Sequence, residues 1–175
     1  MADQIPDTLV LKRHRDLEGR RPHAWLRRGL LLLVGLVPAL ALFNLFGQRP
    51  HLETARAASA SLELYAPSHV RGGLLFEARF TIRAKTELKK AKLELDRGWM
   101  EGMTMNTIEP SPLGQGSHDG KLVLQLGHIP SGQKYSLYVQ IQVNPTNVGR
   151  RSQAVRLYDG QRLLATIHRQ VTVFP

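Results

Sequence analysis

The chain contains no cysteine. That absence excludes disulfides, thiolate metal ligands, a thiol nucleophile and any lipid attached through cysteine. Aromatic residues are sparse, at 6% of 175 residues, and they form no stacking motif for nucleobases. Zinc-finger spacing and a helix-turn-helix pattern are missing too, so the formal net charge of +10 is not read as a nucleic-acid footprint. No serine occupies a glycine-flanked elbow, which removes the usual cue for nucleophilic hydrolysis. Ser117-His118-Asp119 contains the three residue types of a relay, but adjacent residues in a turn cannot form that geometry with one another. Glu101 and Glu109 read as solvated carboxylates rather than a paired acid and base. No enzymatic activity is expected.

What the chain does have is one long apolar block. From Gly29 to Gln48 there is no charged side chain, and Leu30 to Phe46 reads LLLLVGLVPALALFNLF. About 20 residues at 1.5 Å per residue span the hydrocarbon of a bilayer, and Pro38 is tolerated in such a helix. Lys12, Arg13, Arg15, Arg20, Arg21, Arg27 and Arg28 precede the block, whereas only Arg49 and Arg56 follow closely. The basic side stays in the cytoplasm, so the N-terminus is expected inside and the C-terminal domain outside. Trp25 beside Arg27 and Arg28 reads as an interfacial anchor. Ala58-Ser59-Ala60 has the form of a signal-peptidase site, but the apolar run exceeds a signal core and lies far from it. The sequence favours an uncleaved anchor. The expected organisation is a short basic cytoplasmic segment (1–28), a transmembrane helix (29–48), a tether (49–61) and an extracytoplasmic domain (62–175).

Beyond residue 61 the hydrophobic period becomes two. Phe76, Ala78, Phe80, Ile82 and Ala84 alternate with Glu77, Arg79, Thr81 and Arg83, the pattern of a strand with one face buried. The same alternation recurs at Ala91, Leu93 and Leu95, at Leu122, Leu124 and Leu126, and most strongly at Leu137, Val139, Ile141 and Val143. Turn residues punctuate the runs at Arg71-Gly72-Gly73, Asp119-Gly120, Pro130-Ser131-Gly132, Asn144-Pro145 and Asp159-Gly160. About seven to nine strands with no helix between them predict an all-β, antiparallel β-sandwich, with a closed barrel as the alternative.

From Leu74 to Phe174 the chain resembles the immunoglobulin-like repeat domain of bacterial cell-surface proteins. The resemblance rests on the strand ending in Ala84, a later strand with a downstream tryptophan, and Leu126-Gly127-His128-Ile129-Pro130-Ser131-Gly132 leading into the strongest strand. It implies an immunoglobulin-like sandwich that works as a spacer or binding module, and carries over no catalytic residue. Gly98-Trp99-Met100-Glu101-Gly102-Met103-Thr104 lies outside that pattern.

Two segments stand out as candidate sites. Apart from Met1, every methionine is Met100, Met103 or Met105, next to Trp99. Trp99, Met100, Met103 and Met105 are therefore candidates for an apolar contact with a partner, with the tryptophan as its aromatic anchor and the thioethers as its adaptable surface. Thioethers also select Cu(I), and Met100, Met103 and Met105 with His118 are the candidate ligands of an alternative copper site. Met103 and Met105 share a face if this segment is extended, whereas Met100 needs a turn to join them. The second segment is the loop from Asn144 to Arg151, where Asn144, Asn147, Arg150 and Arg151 are candidates for gripping a carboxylate or phosphate of a partner.

The function expected from sequence is a non-enzymatic, membrane-anchored extracytoplasmic interaction domain, an accessory subunit of a membrane protein assembly. Its partner is expected to be another membrane protein, with no nucleic acid, no cofactor, and the bilayer contacted through residues 29–48. The alternatives are an extracytoplasmic Cu(I)-binding protein and a cell-wall or anionic-polymer binding module.

Overall fold

The computed structural model describes residues 21–43 and 48–175. Most of the basic segment expected at 1–28, and Asn44 to Gly47 of the expected membrane span, lie outside the described residues. The chain divides after residue 46 into two units, each described by itself.

In the first unit, α1 runs from Arg21 to Leu42 with Pro38 inside it. It therefore starts before the expected Gly29 and ends before Gln48. Leucine and alanine are strong helix formers, so the basic residues ahead of the apolar block are drawn into the same helix. Trp25–Leu42 is long and apolar enough to cross a membrane. The Arg28 guanidinium lies 5.5 Å from the Trp25 ring centroid, one turn away on the same face.

The second unit carries thirteen described strands: β1 (Pro50–Arg56), β2 (Ala60–Pro67), β3 (His69–Arg71), β4 (Leu75–Ala84), β5 (Leu88–Leu95), β6 (Met103–Glu109), β7 (Gly114–His118), β8 (Lys121–Ile129), β9 (Lys134–Val143), β10 (Gly149–Ser152), β11 (Val155–Asp159), β12 (Arg162–Ile167) and β13 (Gln170–Phe174). One five-stranded sheet has the order β1-β2-β4-β9-β6, the other β12-β11-β5-β8-β7. All their pairings are antiparallel. A small third sheet, β10-β13-β3, has one parallel pairing, β13 with β3. This is the expected immunoglobulin-like antiparallel sandwich, with more strands than the alternation marks.

Alternation does what it predicts. Leu137, Val139, Ile141 and Val143 of β9 are all buried, as are Phe80 and Ile82 of β4 beside them. Leu93 and Leu95 of β5, Leu124 of β8 and Leu157 of β11 supply the facing layer of the same core. Strand β9 is the hub, flanked by β4 and β6.

The tether expected at 49–61 is a correction. Residues 50–56 pair residue by residue with β2, from Pro50 opposite Pro67 to Arg56 opposite Ser61. Their side chains are mostly exposed, because an edge strand needs backbone hydrogen bonds more than a buried face, so it shows little alternation. Strands β3, β7 and β10 go unmarked for a related reason: all three are sheet edges, β3 and β10 are short, and β7 contains glycine.

Candidate functional site

One edge of the first sheet is β6, opposite its β1 edge, and one edge of the second is β7, opposite its β12 edge. Between β6 and β7 lies an open cavity of about 550 Å³ lined by Met100, Met103, Thr104, Met105, Ile108, Gln115, Gly116 and Leu122. Register explains its apolar floor. Met103, Met105 and Ile108 stand opposite Val143, Ile141 and Val139, all inward-facing residues of β9, with an irregularity between Met105 and Thr107. On the other edge, Gln115 stands opposite buried Leu124, and Ser117 opposite Leu122. The inner face of β7 thus presents small or polar groups where a closed sandwich would present aliphatic ones. Met105, Ile108 and Leu122 stay half-buried at the mouth.

The structure gathers the three methionines at this one cavity. Met103 and Met105 share the inner face as expected of an extended segment, and Met100 joins them from the turn before β6. Met103 is buried, and its Sδ accepts a 3.5 Å hydrogen bond from the Gln153 Nε2. His118 is not among the lining residues. Its imidazole is 79% exposed and faces Asp119 at 3.4 Å. Among the described residues, no group of three or more His, Asp or Glu is placed to hold a metal.

Trp99 is a second correction. It is fully buried at the end of a 3-10 turn (Arg97–Trp99), tilted against Phe80 with ring centroids 5.4 Å apart. Its Nε1 donates to the Gln153 carbonyl at 2.9 Å. A ring so enclosed holds the site in place and does not touch a partner. Gly98 permits the approach, since a Cβ there would lie 2.0 Å from the Ser152 carbonyl oxygen.

The loop from Asn144 to Arg151 is mostly self-bonded. Asn144 Oδ1 accepts from the Thr146 N–H at 3.1 Å and its hydroxyl at 3.0 Å, a local turn motif. Asn147 is buried, and its Nδ2 donates to the Glu101 and Gly102 carbonyls at 3.3 and 3.2 Å. Its Oδ1 accepts from Arg151 Nη2 at 3.1 Å. Asn147 and Arg151 therefore pin the methionine turn rather than project from the domain; Arg150 is exposed.

Two polar features escape sequence reading. Arg169 is buried over the Trp99 ring at 5.5 Å, donates to the Pro67 carbonyl at 2.5 Å, and pairs with Glu53 of β1 at 3.6 Å. Burial pushes its pKa down, and Glu53 opposes that shift. Beside the 3-10 turn, Arg156 contacts Asp96 at 2.7 Å and Glu94 at 3.1 Å, and Lys121 contacts Glu94 at 3.1 Å. Burial alone would raise the Asp96 pKa; hydrogen bonds from Arg156 and Ser152 outweigh it and hold the carboxyl below its ordinary range.

No family model matches the chain, and no curated protein matches it. The solved structures that share its general form include the following three. The solution structure of CaCohA2 from Clostridium acetobutylicum is 13% identical with a TM-score of 0.44, covering 67% of this chain and 92% of that one. A non-cellulosomal cohesin from the hyperthermophilic archaeon Archaeoglobus fulgidus is 14% identical with a TM-score of 0.40, covering 73% and 92%. AvmM, which catalyzes macrocyclization in alchivemycin A biosynthesis, is 8% identical with a TM-score of 0.40, covering 74% and 92%. At such identities and scores none of them bears on this chain's partner or activity.

Proposed function

We propose that this chain is a non-enzymatic interaction module, anchored by α1 with its β-domain outside the cytoplasm, and that it serves as an accessory subunit of a membrane protein assembly. The partner is another membrane protein, which docks on the cavity between β6 and β7. The observation that carries this reading is that the inward-facing residues Met105, Ile108 and Leu122 stay only half-buried and line an open cavity between the β6 and β7 edges. Methionine suits such a surface because an unbranched thioether conforms to irregular apolar shapes. The test is purification from gently solubilised membranes. Met105→Leu should keep the co-purifying membrane protein and Met105→Glu should lose it, by tenfold or more in affinity, about 1.4 kcal/mol. Equal retention by both variants would remove the cavity from the reading.

A second reading, Cu(I) binding, is favoured by one observation: all three thioethers line a single cavity. Stoichiometric Cu(I) uptake that is lost in a Met100→Leu, Met103→Leu, Met105→Leu variant would establish it, since leucine keeps the approximate volume and removes the sulfur.

A further inference from the structure

Exposed apolar side chains gather at one end of the β-domain. Leu74 and Leu75 are both 49% exposed, Val148 is 50% and Phe174 is 43%. They belong to distant parts of the chain, but backbone contacts hold them together. The Gly72 N–H donates to the Phe174 carbonyl at 2.8 Å, the Gly73 N–H to the Val143 carbonyl at 2.9 Å, and the Val143 N–H to the Leu74 carbonyl at 3.0 Å. Gly149 pairs with Val173, and Phe174 with Arg71. A Cβ on Gly72 would sit 2.9 Å from the Pro145 carbonyl oxygen, so the 71–75 and 144–149 loops are in direct contact. Arg71 and Arg150 are exposed beside these apolar groups. The one acidic side chain in the loops 71–75, 100–102 and 144–150 is Glu101, which already faces Arg151 at 3.9 Å.

This is also the end at which the chain arrives from α1. Strand β1 starts at Pro50, opposite Pro67, and two residues after Pro67 the chain forms β3, whose His69 stacks on Phe174 at 5.8 Å. Only residues 43–49 separate the last residue of α1 from Pro50. Fully extended, seven residues reach at most about 25 Å, so Pro50 cannot leave the neighbourhood of the bilayer.

We propose that this end of the domain, with Leu74, Leu75, Val148 and Phe174 among Arg71 and Arg150, rests on the anionic headgroups of the bilayer that α1 crosses. The inference depends on α1 being a membrane span. Mixed apolar and basic loops match an anionic interface, where arginines meet phosphate and aliphatic groups dip toward the acyl boundary. A protein partner at this end would meet the same lipid surface within the reach of the linker.

The absence of cysteine makes the test direct, because one introduced thiol is the only one among these 175 residues. Leu36→Cys in α1, Leu74→Cys, Val148→Cys and Gln161→Cys at the β11–β12 turn would each carry a fluorescent label. The labelled chain is placed in nanodiscs with nitroxide-bearing lipid, with phosphatidylglycerol or with phosphatidylcholine alone. Labels at 36, 74 and 148 should be quenched in phosphatidylglycerol and the label at 161 should not. Adding Arg71→Glu and Arg150→Glu, or phosphatidylcholine alone, should bring the 74 and 148 labels down to the level of 161 and leave 36 unchanged. Quenching at 36 without quenching at 74 and 148 overturns the proposal and assigns the patch to a protein. Absence of quenching at 36 overturns the anchored reading itself.

Discussion

The indole N–H of Trp99 donates to the main-chain carbonyl of Gln153, a residue 54 positions away, at 2.9 Å. That bond ties the methionine turn to the segment joining β10 and β11, and it converts the most partner-like side chain of the sequence into a structural post. Trp99→Ala is expected to destabilise the fold by about 3–5 kcal/mol, the usual cost of emptying a large aromatic site. Trp99→Phe keeps most of the ring but leaves the Gln153 carbonyl unsatisfied, at a cost of about 1–3 kcal/mol. Thermal and urea unfolding followed by circular dichroism measures both.

Strand β9 supplies a second, sharper contrast. Val139 and Ile141 are fully buried, whereas Gln140 between them is exposed. Val139→Asp or Ile141→Asp is expected to unfold the domain, because an unpaired carboxylate would have to enter the core. Gln140→Asp should change stability by less than about 0.5 kcal/mol. Protease resistance of the three variants separates the outcomes.

The status of β1 is tested through Glu53. Its partner Arg169 is only 2% exposed at the side chain, whereas Arg83, the partner of Glu63, is 55% exposed. Removing the acid from a buried cation costs about 1–3 kcal/mol, and removing it from an exposed one about 0–1 kcal/mol. Glu53→Ala should therefore lower the melting temperature more than Glu63→Ala does. Equal effects would mean that 50–56 behaves as a tether after all.

Much of this was legible in the sequence, and the exceptions have two causes. β4 and β9 could be read because one face is buried and the other wet, so alternation reports them directly. Asp159-Gly160 marks the β11–β12 hairpin, and Gly160 does adopt a positive φ of 61°. β1 is hidden because an edge strand exposes most of its side chains. The fates of Trp99, Asn147 and Arg169 are hidden because each is decided by a carbonyl or ring distant in sequence. Even so, the three methionines converge on one cavity, which their local spacing had hinted at.

Acid should expose the Asp96 cluster. Because its folded-state pKa is depressed, the stabilisation it provides is complete above the ordinary carboxylate range near pH 4 and is lost as pH falls through the lower folded value. Asp96→Asn should be less stable at neutral pH, and its stability should fall less than that of the wild type on acidification below about pH 4. Parallel pH profiles for the two proteins would contradict the role given to Arg156 and Ser152.

The central claim is that the β6–β7 cavity receives another membrane protein. The most direct measurement places a photo-crosslinking amino acid at Met105, inside the cavity, and separately at exposed Lys89 on β5, irradiates intact cells and identifies the adducts. The account predicts one membrane protein joined at position 105, no adduct of it at 89, and loss of the adduct when Ile108→Glu is added. No adduct at 105, or the same adduct at both positions regardless of Ile108, would contradict it.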